Sequence, residues 1–286
     1  MLEMLINPKK AERNSWELFF VGLFYASLSF IIVNWIFKTD VVNVKYSGWI
    51  LVAFTVMFSM PFIYYIIKLE EQKDIQMEGY LKLLKEHSKA LFAFLWLFLG
   101  FVVALSFLYI MFGSTTHSFT AQIETYCSIN KPGNIDDCVE QYGIKGNTKT
   151  TAFLTAKERL VAIFVNNIYV LMFTIFFSLV FGAGVIFVLA WNASVIAAAI
   201  GIFAKSSYSS LPLGIARYMI HGLPEIAAYF IAALAGGIVS IAVIRHDTKS
   251  EKFWNILQDS LNLVIVAVVV LFISALIEVF ITPFLF

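Results

Sequence analysis

The sequence predicts an all-α polytopic bundle of about seven membrane-spanning helices. The chain is 60% hydrophobic and only 14% charged, whereas a soluble domain is about half apolar and about a quarter charged. Its apolar residues also come in continuous runs of about 20, which is the length that crosses a bilayer as a helix. These runs lack the alternation of barrel strands, and only helices or closed barrels satisfy the backbone in lipid. We therefore expect a multi-pass protein of the cell membrane, surrounded by lipid.

Seven runs are assigned as spans. They cover residues 17–37, 47–67, 90–112, 160–181, 184–204, 219–243 and 260–281. The fourth and fifth are separated only by Gly182-Ala183-Gly184, which predicts a tight hairpin. A six-span bundle with a re-entrant hairpin over 160–204 is the alternative.

Positive charge in short loops predicts the orientation. Lysine and arginine cluster before the first span, between the second and third, and between the sixth and seventh. Seven spans place these segments on one side, so the N-terminus is predicted inside and the C-terminus outside. Residues 1–89 then form a two-span extension with a cytosolic charged segment. Residues 90–286 form a five-span core with an external loop at 113–158.

Both cysteines lie in this loop. Cys127 and Cys138 flank a turn signal at 131–134. The non-cytosolic side is oxidising, which favours a disulfide between them, and two unrelated thiols are the alternative. Two cysteines without a nearby histidine pair are too few ligands for a metal site.

Polar side chains inside the predicted spans form the candidate functional site. Such residues are costly in lipid and usually face the interior of a bundle. The predicted intramembrane cluster consists of Asn166, Asn192, His221, Glu225 and Glu278.

The depth of these residues indicates that they meet. A helical rise of about 1.5 Å per residue places Glu225 and Glu278 near one level in the outer half of the membrane. His221 and Glu225 are four residues apart and share a helix face. His221 is the expected partner of Glu278, with Asn166 or Asn192 as alternative donors.

Each member also has a structural explanation. Pro224 suits the first turn of a helix, where Glu225 would interact with the helix dipole. His221 is explained equally by an interfacial position. The asparagines are explained by hydrogen bonding between helices, the interpretation preferred for Asn167.

Two stripes of small residues indicate close helix packing. One follows the fifth span and the other the sixth, at a spacing of about four residues, and such stripes let backbones approach closely. They consist of Ala193, Ala197 and Gly201, and of Ala228, Ala232, Gly236 and Ser240. The fifth and sixth spans are predicted to pack together in this way, or else to form the contact between two chains. A homodimer or other homo-oligomer is expected.

Catalytic and cofactor motifs are absent from the sequence. It contains neither a phosphate-binding Walker loop nor a Gly-x-Ser-x-Gly elbow, so neither a catalytic residue nor a cofactor is predicted. A metal held by His221, Glu225 and Glu278 is only weakly indicated, because three such residues often coincide by chance. The net charge of +1 gives no electrostatic case for nucleic-acid binding.

Two motifs resemble the stage II sporulation protein M family. The first is His221-Gly222-Leu223-Pro224-Glu225, followed by small residues. The second is Glu278-Val279-Phe280-Ile281-Thr282-Pro283. Asparagines at 166 and 192 also resemble that family, and the resemblance extends over about residues 90–286. It implies a multi-pass membrane protein without an assigned enzymatic activity, whose namesake anchors a complex that remodels cell-wall peptidoglycan during engulfment.

Three functions follow as hypotheses. The first is a non-catalytic membrane scaffold that recruits cell-envelope or membrane-remodelling partners through the external loop and the cytosolic segment. The second is a transporter, channel or permease subunit whose Glu, His and Asn cluster binds a proton, a cation or a small solute. The third is a membrane-embedded metal-dependent hydrolase, which would need a bound ion and water.

Overall fold

The computed structural model describes residues 14–37, 41–71, 85, 87–112, 117–130, 135–142, 156–182, 185–204, 208–245 and 250–285. Its helices are α1 (Glu17–Phe37), α2 (Val41–Glu71), α3 (Ser88–Phe112), α4 (Thr120–Asn130), α5 (Ile135–Tyr142), α6 (Ala156–Phe181), α7 (Val185–Ala204), α8 (Leu211–Arg245) and α9 (Glu251–Leu276). A π-helical segment (Ile277–Ile281) and the short α10 (Thr282–Leu285) continue α9. The predicted cytosolic charged segment falls largely on residues 72–84, outside the described residues, as does the turn at 131–134.

Seven helices are long and apolar enough to cross a membrane. They are α1, α2, α3, α6, α7, α8 and the continuous run from α9 to α10, which confirms the predicted all-α bundle. Both α6 and α7 have the length of a span, which favours seven spans over the re-entrant alternative. Gly182 follows α6 with φ of 61°, a left-handed conformation that glycine adopts without the strain other residues would meet.

Several helices begin before the predicted spans, and the difference is largest for α8 and α9. α8 begins at Leu211 rather than at residue 219, and α9 begins at Glu251 rather than at residue 260. The early turns contain charged residues such as Arg217, which hydropathy excludes although they are compatible with a helix. Pro224 consequently lies inside α8, and its predicted place in a first helical turn is wrong.

The two small-residue stripes are buried within the chain. A Cβ at Gly236 of α8 would lie 2.8 Å from Ser178 Cβ of α6, and one at Gly201 of α7 would meet the Tyr109 ring of α3. At these two glycines the stripes meet α6 and α3, and the predicted packing of the two stripes on each other remains a prediction. Both stripes are occupied by contacts inside one chain, which leaves them unavailable for a contact between two chains.

The first two spans pack onto the rest of the bundle. α1 crosses α3 at Gly22 and Gly100, where a Cβ on either glycine would meet backbone atoms of the other helix. On α2, Trp49 stacks on Trp191 of α7 with ring centroids 4.0 Å apart. The division of the chain at residue 89 remains a prediction.

A compact unit packs against the spans on the predicted non-cytosolic side. We call it the outer cap and define it as residues 117–130 and 135–142, which include α4 and α5. The structure contains a disulfide between Cys127 and Cys138 that joins these two helices. Both cysteines are buried, so the disulfide lies inside the cap.

Buried contacts fix the outer cap to several spans. The Gln122 amide is fully buried and donates to the Gly48 carbonyl at 3.0 Å and to Ser194 Oγ at 3.2 Å. Phe119 stacks on Phe30 of α1. The cap is thereby held against α1, α2 and α7.

Candidate functional site

The fold brings together two carboxylates that are far apart in the sequence. Glu225 lies in α8, Glu278 lies in the π-helical segment, and the two interact electrostatically. Both side chains are partly buried. The pair lies on the part of the bundle where the sequence predicted an intramembrane cluster.

Two polar side chains from different helices approach Glu225. The Tyr229 hydroxyl, one helical turn along α8, donates to Glu225 Oε1 at 3.0 Å, and the Asn167 side chain of α6 lies within hydrogen-bonding reach. Tyr229 is fully buried and Asn167 is 5% exposed. Tyr229 was not predicted as a member of the cluster, although its spacing of four from Glu225 places it on the same helix face.

The two adjacent asparagines of α6 take positions opposite to those predicted for them. Asn167, assigned to helix packing, reaches Glu225, whereas Asn166 is exposed and donates from Nδ2 to Asn167 Oδ1 at 3.3 Å. The buried face of α6 explains this, because it consists of Asn167, Leu171, Thr174 and Ser178. Successive residues of a helix differ by about 100° in direction, so Asn166 points away from that face.

Asn192 does not supply the other expected donor. Its Nδ2 donates to the Val188 carbonyl of its own helix at 2.8 Å. One N–H of the Asn192 amide is thus hydrogen-bonded within its own helix, which is a common arrangement for polar side chains within spans.

His221 contacts Thr282 rather than Glu278. Its Nδ1 lies 3.2 Å from Thr282 Oγ1. The Thr282 hydroxyl in turn donates to the Ile277 carbonyl at 3.3 Å. This leaves a lone pair on Thr282 Oγ1 to accept an Nδ1–H of the histidine. Ser274 Oγ also donates to the His221 carbonyl at 2.7 Å, which joins α8 to α9 near the bend-prone Pro224.

The positively charged neighbour of Glu278 is an arginine outside the predicted cluster. Arg159, in the first turn of α6, interacts electrostatically with Glu278 and is exposed. Glu278 itself lies in a π-helical segment, a feature often found at functional sites. The link could not be read from the sequence, because it depends on how α6 packs beside α9.

The surroundings of the pair differ along the helix axis. On the predicted cytosolic side of Glu225, α8 is tightly packed, with Tyr229, Ala232 and Ala233 all 0% exposed. Arg159 lies on the opposite side, at the predicted outer end of α6. Carboxylates are groups that can bind a proton, a cation or a hydrogen-bond donor.

A three-ligand metal set is not assembled. Within the described part of the chain, no three His, Cys, Asp or Glu side chains are grouped closely enough to hold a metal ion. The weakly indicated metal site of His221, Glu225 and Glu278 is therefore not formed. His221 Nδ1 instead contacts Thr282 Oγ1.

A seven-span bundle with a polar cluster between its last helices defines a polytopic integral membrane protein. The profile of the family described as Stage II sporulation protein M matches residues 8–283, and the chain belongs to this family. The match includes the first two spans, so it is broader than the predicted resemblance over residues 90–286. Comparison with curated proteins and with solved structures gives no significant match.

Proposed function

We propose that the protein is a non-catalytic membrane scaffold that recruits cell-envelope or membrane-remodelling partners on its non-cytosolic side. The outer cap is the observation that carries this proposal. A disulfide closes the cap, and buried side chains fix it to α1, α2 and α7. A cap held in this way presents a surface in a constant orientation to a partner, which lowers the entropy lost on binding.

The cap surface suggests the chemistry of the partner. Glu124, Asp136 and Asp137 are all exposed on it. An acidic surface attracts a basic partner and increases the rate of encounter. The intramembrane cluster would then serve to hold α6, α8 and α9 in one arrangement beneath the cap.

Crosslinking in intact membranes tests the scaffold function. A partner crosslinked to the wild-type cap should be recovered at a level at least about tenfold lower when Asp136→Lys and Asp137→Lys are combined, because like charges then face each other. Glu251→Lys, an exposed acid at the start of α9, is the matched control and should retain the partner. Recovery of the same partner from the cap variant, or of none from the wild type, would contradict the proposal.

A second candidate function, transport, is favoured by the carboxylate pair. A like-charged pair is a poor means of holding two helices together, whereas intramembrane carboxylates commonly bind coupling ions or relay protons. Glu225 and Glu278 would take up a proton or a cation from the side marked by Arg159. Release to the other side would require the packing around Tyr229 to open.

Flux through reconstituted vesicles tests the transport function. Purified protein would be reconstituted and assayed for flux of protons, Na⁺ and K⁺. Glu225→Gln and Glu278→Gln should each abolish the flux, while Asp259→Asn, a carboxylate of α9 outside the pair, should leave it intact. Unchanged flux in correctly folded Gln variants would eliminate this candidate and leave the scaffold function as proposed.

A further inference from the structure

One face of α6 carries an exposed stripe with the spacing of a helix-packing seam. Its members follow each other at alternating intervals of four and three residues, and all are exposed. They are Ala162, Asn166, Tyr169, Phe173, Phe176 and Val180. Alternating intervals of three and four are those of the contact positions in a two-stranded coiled coil. The stripe lies opposite the buried face through which α6 contacts α8. We call it the α6 seam.

The seam contains a carboxamide at a depth where lipid cannot satisfy it. Asn166 follows Arg159 by seven residues, so it lies about 10 Å deeper along the helix axis. Among the described residues, its only hydrogen bond is the one to Asn167. Asn166 is exposed, and unpaired polar groups in hydrocarbon are costly.

Packing within the chain leaves this face available. Only 17% of the α6 span is buried, compared with 78% of the α8 span. Tyr169, at the centre of the seam, is 70% exposed. The small-residue stripes of α7 and α8 are already buried inside the chain, so a contact between chains must use another surface.

We propose that the α6 seam is the contact between two copies of this protein, with the two Asn166 side chains hydrogen-bonded to each other. A two-fold axis along the membrane normal sets two α6 helices parallel and places each residue near the axis opposite its own copy. A carboxamide both donates and accepts, so it is complementary to itself. A single asparagine in such a seam fixes register and the number of strands.

The contact would also reach the candidate site. Asn166 donates to Asn167, which lies within hydrogen-bonding reach of Glu225. Pairing of two Asn166 side chains would thus restrain Asn166, and through Asn167 it would restrain the polar contacts that lead to Glu225. The proposal stands independently of the scaffold and transport functions, because it depends only on the exposed face of α6.

Disulfide crosslinking maps the contact. Both native cysteines are already bonded to each other, so a single introduced cysteine can crosslink only between chains. Ala162→Cys, Tyr169→Cys and Phe173→Cys should form crosslinked dimers in membranes several-fold more efficiently than Leu179→Cys. Leu179 is equally part of the exposed side of α6 but lies about 100° from the seam, which makes it the matched control.

Self-association of two differently tagged copies tests the role of the carboxamide. Asn166→Leu should weaken copurification about three- to thirtyfold, the range expected for a hydrogen bond between helices in a membrane. Asn166→Gln, which keeps the carboxamide, should restore it. Asn192→Leu should have no effect on it, because that amide bonds within its own helix.

The proposal is overturned by any of three results. These are equal crosslinking at seam and control positions, unchanged association of Asn166→Leu, and a seam crosslink to a protein of another mass in place of the second copy. The cysteine variants retain Asn166, so the crosslinking result stands even if Asn166→Leu fails to fold.

Discussion

Two different structural features position Glu225 and Glu278 near each other. Glu225 is fixed by Tyr229 one turn away on the same helix, whereas Glu278 is placed by the wide turn of the π-helical segment. Two carboxylates at close range repel each other unless one carries a proton or a cation lies between them. The pair therefore lowers the free energy of unfolding. We expect a protein to keep such a pair only where it binds a ligand or fixes the arrangement of the helices.

A double-mutant cycle measures this cost. Glu278→Gln removes one charge but keeps the side-chain shape, so it should raise the free energy of unfolding in detergent. Glu225→Gln in the Glu278→Gln background should then give no further gain, with a coupling of about 0.5–3 kcal/mol between the two sites. Additive effects of the two substitutions, read from thermal unfolding curves, would show that the carboxylates do not interact.

The neighbouring asparagines show what a sequence can and cannot specify at this site. The presence of amides in this span and the approximate depth of the carboxylates follow from hydropathy and helical rise. Which of Asn166 and Asn167 faces α8 depends on the rotation of α6 about its axis. That rotation is set by packing at Ser178 against Gly236, a contact between spans that are distant in the sequence.

The crossing of α1 and α3 depends on two glycines. A Cβ on Gly100 would meet the Phe19 carbonyl and would lie 2.9 Å from Gly22 Cα. Backbone atoms cannot move aside as a flexible side chain can, so the helices would have to separate. The crossing therefore fixes α1 directly against α3.

Gly100→Ala should lower the free energy of unfolding by about 1–3 kcal/mol, the usual cost of inserting a methyl group into a packed interior. This loss should outweigh the higher helix propensity of alanine. Gly222→Ala is the matched control, because its Cβ would meet only Met219 Cε at 3.7 Å, and it should be neutral or slightly stabilising. A destabilised control together with a stable Gly100→Ala variant, measured by thermal unfolding, would contradict this account of the crossing.

The helix ends were harder to predict than the helices themselves. Continuous apolar runs were enough to locate seven spans, because lipid demands that composition over about 20 residues. The first turns of α8 and α9 extend beyond those runs and contain Arg217 and Lys252. Hydropathy reports on the lipid boundary, whereas a helix ends where its backbone hydrogen bonds end.

The two ends of the bundle are fastened differently. At one end the outer cap inserts Gln122 between α2 and α7. At the other end His87 Nδ1 lies 2.7 Å from Glu70 Oε2, with both side chains buried, which joins the end of α2 to the start of α3. The disulfide belongs to the first end and the lysine-rich connection between α2 and α3 to the second, so both features agree with one orientation of the bundle in the membrane.

Single-cysteine labelling in intact cells tests that orientation. Ser128→Cys, exposed on the outer cap, should react with a membrane-impermeant maleimide added from outside. Lys85→Cys, exposed just before α3, should react only after permeabilisation, because positive charge in short connections is retained in the cytosol. The wild-type chain is the control for background, since its two cysteines are joined, and detergent-solubilised variants should label equally. Labelling of Lys85→Cys from outside, with Ser128→Cys protected, would invert the bundle and place both the acidic cap and the approach to the carboxylate pair in the cytosol.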